Sequence, residues 1–157
     1  MPKVYIGLGS NIEDKYSNIT QAVALLAERV GDVLALSSVY ETKPWGFTSQ
    51  NTFLNAVLLL DTDFTPEELL KETRQIELGM GRIEKSEDGV YHDRSIDIDL
   101  LLFDDRVMQT PILTLPHPLM HKRKFVLEPL TEIAPALIHP VLKKSMRELL
   151  DEISHTS

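Results

Sequence analysis

The 157 residues contain no cysteine. That excludes disulfides and thiolate-bound metals. Long apolar runs are missing as well: no stretch approaches the roughly 20 residues a membrane-spanning helix needs. The opening residues carry no signal-peptide pattern, and with cysteine absent a cytoplasmic location is expected. Positive charge is scarce, 16 Lys and Arg against 24 Asp and Glu, for a net charge of −8. That balance argues against a general nucleic-acid binder, because affinity for a polyanion comes from excess Lys and Arg. The familiar nucleotide loops are also lacking. "GLGSN" is neither G-x-x-x-x-G-K-[ST] nor G-x-G-x-x-G, and no G-x-S-x-G marks a serine nucleophile.

What is present suits one globular domain over residues 1–157. Hydrophobic residues make up 43% and charged residues 25%, ordinary for a soluble fold. The few basic residues are clustered. "HPLMHKRKF" gathers His117, His121, Lys122, Arg123 and Lys124, and Arg82, Lys85 and Arg94 form a second group. Such clusters leave room for a single anionic ligand on an acidic protein.

"KVYIGLGSN" reads as an opening strand ending in a turn, where Gly7 and Gly9 allow close backbone approach. Ile19, Ala22, Val23, Leu26 and Val30 recur at helical spacing, with Gly31 as a stop. "DVLALSSVYET" predicts a second strand, "KPWGFTSQN" a loop and "TFLNAVLLLDT" a third strand. The next helix is the clearest: Thr65 caps it, Pro66 suits its first position and Glu68 completes a capping box. Leu69, Leu70, Thr73 and Ile76 form its inner face, and Gly79 or Gly81 ends it. "RIEKSEDGVYHD" is polar and predicts a loop. "RSIDIDLLLF" predicts a fourth strand, followed by a proline-rich C-terminal segment of short helices and loops. This order predicts an α+β, ferredoxin-like βαββαβ core. Its antiparallel sheet carries helices on one face.

Asp97 and Asp99 interrupt the apolar run of the fourth strand. Strand alternation points both to one face, with Ile96, Ile98 and Leu100 on the other. Phe53 and Asn55 of the third strand belong to the same face as the acids, which is expected to be free of helices and walled by the C-terminal segment. Two carboxylates this close need a partner, and a hard divalent cation such as Mg²⁺ is the simplest. With arginine and histidine nearby, the set suggests metal-assisted phosphoryl transfer. A solvated acidic strand face and metal-free acid/base work by a coupled pair are the alternatives. Phe53, Phe125 and Trp45 are each compatible with core packing or with ring stacking. A strand-interior amide such as Asn55 needs hydrogen-bond partners when buried, and a flat heterocycle held between aromatic faces would supply them.

Several separated motifs carry a wider likeness: "YIGLGSN", "SSVYETKPWG", "FLNAV", "PEELL" with "IELGMGR", "RSIDIDLLLF" and "LPHPLMHKRKFVLEPLTEIAP". In this order they resemble the 6-hydroxymethyl-7,8-dihydropterin pyrophosphokinases of folate biosynthesis, over nearly the whole chain. The resemblance implies pyrophosphoryl transfer from ATP to the pterin hydroxymethyl group, with release of AMP. It implies that Asp97 and Asp99 bind two Mg²⁺ ions and that Arg82 and Arg94 are catalytic. Lys85, His117, Arg123 and Glu77 fall at ATP-site positions. Phe53 and Phe125 match the aromatic pair around the pterin, Asn55 its hydrogen-bonding amide, and Thr42 and Trp45 a loop that contacts the ring.

The chain departs from the family pattern at Tyr91, His92 and Asp93, where a Trp-Gly-Pro run is common, and at Glu84 and Leu119, where arginines occur. Residues 84–93 are expected to act as a lid between Arg82 and Arg94. The expected partners are two small molecules, ATP and a reduced pterin, with no nucleic acid, membrane or obligate protein partner. An ordinary kinase yielding ADP and a small-ligand sensor are the competing readings.

Overall fold

The computed structural model describes residues 1–11, 14–42, 52–80 and 96–156. Strand β1 (Lys3–Ser10) buries Val4, Ile6, Leu8 and Ser10, as a period of two requires. Helix α1 (Lys15–Arg29) sets Ile19, Ala22 and Leu26 against that apolar face. Gly31 does more than stop the helix, for it opens β2 (Gly31–Leu36). A Cβ at Gly31 would lie 1.9 Å from the Asp61 carbonyl oxygen, so only glycine lets β2 close on its neighbour.

The strand expected over "DVLALSSVYET" is broken in two. β2 ends at Leu36, and β3 (Tyr40–Thr42) follows after a gap. Both pair with β4 (Phe53–Thr62), β2 along its later residues and β3 along Phe53 to Asn55. Ser37 spans the break. Its N–H donates to the Val57 carbonyl (2.9 Å) and its Oγ accepts from the Val57 N–H (2.9 Å), so a hydroxyl stands in for a ladder carbonyl.

Helix α2 (Pro66–Gly79) begins with the expected capping box. The Glu68 N–H donates to Thr65 Oγ1 (3.2 Å), and the Thr65 N–H donates to Glu68 Oε1 (2.8 Å). Strand β5 (Asp97–Phe103) completes a sheet of order β2-β4-β1-β5, antiparallel throughout, with β3 beside β4. This is the ferredoxin-like order, and α1 and α2 share one face over a single apolar core.

The opposite face is not free of helices. A small hairpin of β6 (Met108–Gln109) and β7 (Thr114–Leu115) leads to a 3-10 turn at Met120–Lys122, then to α3 (Lys124–Ile133) and α4 (Met146–Thr156). These elements form a second core on Val57, Leu101 and Leu102, built from Met120, Val126, Leu127, Leu130, Met146 and Leu149. A bulge in β5 makes it possible. Ile6 pairs with Leu100 and Tyr5 with Leu102, so Leu101 is an extra residue. Leu101 and Leu102 thus both join the second core, and Phe103 returns to the first.

Candidate active site

The site lies on the second face, beyond the reach of that core. Gly9 pairs with Asn55 on one side and Asp97 on the other, and Gly7 pairs with Val57 and Asp99. Directly paired residues share a face, so Asn55, Gly9 and Asp97 form one row and Val57, Gly7 and Asp99 the next. Both aspartates therefore point to the same side, as alternation requires. The glycines keep the floor between them low. A Cβ on Gly9 would sit 3.2 Å from Asn55 Oδ1, and one on Gly7 would sit 3.5 Å from Leu101 Cδ1. Asp99 is exposed and Asp97 half-buried.

Phe53 begins β4 on the same face as Asn55 and pairs with Thr42. Asn55 is buried, and its Nδ2 donates to Thr42 Oγ1 (2.9 Å). This bond fixes which end of the carboxamide faces β3, and leaves Oδ1 over Gly9.

The C-terminal segment brings the basic groups. The His117 N–H donates to the Leu101 carbonyl (2.9 Å), tying the residue to β5. Its Nδ1 accepts from the Leu119 N–H (3.2 Å). Burial lowers the His117 pKa below its ordinary value; the Asp99 charge opposes this and Arg123 adds to it. The imidazole is thus neutral at pH 7, and with Nδ1 accepting, its proton sits on Nε2 as a donor. Arg123 immediately precedes α3, and its guanidinium lies 5.5 Å from the centre of the Phe125 ring. The positive end of the α3 dipole adds to the attraction for an anion.

Glu77, expected at an ATP-site position, lies near the end of α2. It is buried on α2, and its Oε2 accepts from the Ile98 N–H (2.8 Å). Ile98 stands between the two aspartates, so this carboxylate anchors the strand that presents them. Trp45, Arg82, Lys85 and Arg94 lie outside the described residues, as do the departures at Glu84 and at Tyr91 to Asp93 and the expected lid. Among the described residues no three His, Asp or Glu side chains converge as a metal cage. An apolar groove between α1 and β2, lined by Ile19, Val23, Val33, Leu36 and Val39, lies away from the aspartates and suits no phosphate.

The family model for 7,8-dihydro-6-hydroxymethylpterin-pyrophosphokinase (HPPK) matches residues 5–135. The chain belongs to the HPPK family. A 2-amino-4-hydroxy-6-hydroxymethyldihydropteridine pyrophosphokinase of Porphyromonas gingivalis is 50% identical over 141 residues, covering 89% of this chain and 95% of that protein. The protein of the same name from Aquifex aeolicus is 43% identical over 152 residues, 97% of this chain and 92% of its own length. The folic acid synthesis protein fol1 of Schizosaccharomyces pombe is 39% identical, but this chain covers only 20% of it. Among solved structures, wild-type Plasmodium falciparum HPPK-DHPS superposes with a TM-score of 0.77 at 17% identity. It covers 96% of this chain, which spans 44% of that longer one. That likeness shows the fold. The HPPK match spans every candidate residue from Thr42 to Phe125.

Proposed function

We infer that this chain transfers pyrophosphate from ATP to the hydroxymethyl group of 6-hydroxymethyl-7,8-dihydropterin, giving AMP and the pterin diphosphate, in folate biosynthesis. The observation that carries this is the HPPK match over residues 5–135. The row of Asn55, Gly9 and Asp97 supports it, because it sets a ring-binding amide and a metal-binding acid on one open floor.

In this reading Phe53 and Phe125 hold the pterin ring. Asn55 reads its polar edge, oriented by Thr42. Thr42 and Trp45 are assigned to the segment that contacts the ring, as the family resemblance implies. The hydroxymethyl oxygen attacks the β-phosphorus of ATP and gives up its proton to water as the new P–O bond forms. The bond from the β-phosphorus to the oxygen bridging it to the α-phosphate breaks, and AMP leaves with that oxygen. His117 donates from Nε2 to a phosphate oxygen. Arg123 gives a second, bidentate donor set. Arg82, Arg94 and Lys85 supply further positive charge. Glu77 acts on the nucleotide side by fixing β5, since its carboxylate takes the amide between the two acids.

Asp97 and Asp99 offer hard oxygen donors on one face, which fits Mg²⁺, an ion usually held by one or two carboxylates plus phosphate oxygens. When bound, two such ions would neutralise phosphate charge and favour the alkoxide of the attacking hydroxyl. A cytoplasmic location goes with this proposal and is supported by the use of ATP and the lack of cysteine. The deciding experiment is incubation with ATP, Mg²⁺ and the reduced pterin, with both products identified. AMP and a pterin diphosphate are expected. Stoichiometric ADP with a pterin monophosphate would replace this reading with an ordinary kinase.

A further inference from the structure

The break between β2 and β3 exposes backbone that a continuous strand would have paired. Beyond Ser37 the chain leaves the ladder, and the Ser38 N–H turns away from β4. A side chain on α3 takes it. Glu132 accepts from the Ser38 N–H through both carboxylate oxygens (3.1 and 3.0 Å), from Ser38 Oγ (3.0 Å) and from the Tyr40 hydroxyl (2.7 Å). The same bond pushes the Tyr40 pKa up to about 12 and holds the Glu132 carboxyl below its ordinary value.

These contacts join the two walls of the proposed pterin slot. Tyr40 pairs directly with Asn55, and Thr42, two residues on, pairs with Phe53 and receives the Asn55 amide. That is the sheet wall. The other wall is Phe125, in the first turn of α3. Glu132 follows it by roughly two helical turns, about 10 Å along the axis and on nearly the same side of the helix. Helix α3 lies against β3 and β4. It therefore acts as a bar with Phe125 near one end and a fastening at the other.

We propose that Glu132 is a positioning residue for pterin binding: by clamping Ser38 and Tyr40 to α3, it sets the separation between the Phe53–Asn55 wall and Phe125. A stacking slot accepts a ring only at a narrow spacing, so a small displacement of one wall is felt as lost affinity. The clamp's hydrogen bonds are exposed, and each contributes only modestly to global stability because water competes for the same groups. Its loss should be felt at the slot more than in the fold.

The inference rests on Phe53, Asn55 and Phe125 being the pterin slot, and the test separates the two ideas. Affinity for the reduced pterin is measured with Mg²⁺ and a non-hydrolysable ATP analogue present, beside affinity for the analogue and the melting temperature. Glu132→Ala is expected to weaken pterin binding about tenfold while nucleotide binding stays within about twofold, the scale of a misplaced wall. Glu132→Gln should recover most of the loss, since its amide oxygen still accepts from Ser38. Tyr40→Phe, which deletes one hydrogen bond and no packing, should weaken pterin binding about two- to threefold with the same selectivity. Phe53→Ala is the control. If it weakens pterin binding and Glu132→Ala does not, the clamp is wrong and the slot stands. If Phe53→Ala has no effect, the slot itself is wrong and the clamp falls with it. Equal losses for pterin and nucleotide in Glu132→Ala would reduce Glu132 to a general structural contact and overturn the proposal.

Discussion

The two faces of one sheet differ in how they are covered. The face under α1 and α2 is apolar over most of its length: Val4, Ile6, Leu8, Ala56, Leu58, Leu60, Ile98 and Leu100 all pack into one core. The other face is divided. One part, at Val57, Leu101 and Leu102, is sealed by α3 and α4. The rest carries Gly9, Asn55, Asp97 and Asp99, residues that contribute little to an apolar core and that the proposed function assigns to ligand binding. In the proposed reading the first face serves the core alone, and the chemistry belongs to the unsealed part of the second. Neighbouring residues of one strand can therefore serve opposite ends, as Leu54 and Asn55, or Ile98 and Asp99, do.

The contrast breaks most sharply at Leu58, which is fully buried in the first core. Leu58→Ala should cost roughly 2–5 kcal/mol of stability, the usual range for a leucine truncated in a packed interior. Denaturant unfolding would measure it. The folded fraction should keep its pterin and nucleotide affinities. A loss of affinity without a loss of stability would show that the faces are not separable.

The converse substitution is Asp97→Asn or Asp99→Asn. Each keeps the shape of the side chain and removes a charge from the open floor. Turnover at saturating Mg²⁺ should fall about 10²-fold or more, the scale of a lost electrostatic contact at a phosphoryl-transfer site. Stability should stay within about 1 kcal/mol, since both side chains are at least partly exposed. Near-normal turnover in either variant would remove the acids from the reaction.

Much of this division is legible in the sequence. The alternation in "RSIDIDLLLF" puts both acids on one face, and the registry with Gly9 and Gly7 bears that out. The capping box of α2 was visible because it is local, depending on residues three apart. The covering of the second face was less visible. Leu101 and Leu102 reach it through a bulge, and a bulge leaves no mark in an apolar run where every residue is hydrophobic. The broken strand was missed for a similar reason. Two serines inside a β-like stretch do not announce that one will mimic a backbone carbonyl and the other be held by a helix nearly a hundred residues away. Glu132 sits among apolar residues in "LEPLTEIAP", a weak hint, but its partners are long-range and no local rule reaches them.

The smallest effect expected concerns how the second face keeps its cover as pH changes. His139 lies in the turn between α3 and α4. Its Nδ1 accepts from the Val141 and Leu142 N–H groups (3.2 and 3.1 Å), while its backbone N–H donates to the Lys144 carbonyl (2.8 Å) and its backbone carbonyl accepts from the Lys143 N–H (2.9 Å). Burial lowers its pKa, and His121, whose ring stands edge-on 6.2 Å away, lowers it further. The folded state thus favours neutral imidazole. A lowered histidine pKa contributes stability above the unfolded value of about 6.5, and that contribution is lost as pH falls through the folded value. His117, also lowered by burial, acts in the same direction. The carboxylates with lowered values, Glu68, Glu132 and Glu148, act only below their ordinary 4.5. Among the described residues with shifted values, the range from pH 7 to 5 therefore reports chiefly on the histidines. Asparagine places an acceptor oxygen where Nδ1 now stands and does not titrate. His139→Asn should keep the turn, stay within about 1 kcal/mol of the parent at pH 7.5, and lose less stability than the parent on acidification to pH 5. Urea unfolding at the two pH values gives the comparison. An unchanged difference between them would mean that His139 does not couple the cover of the second face to pH.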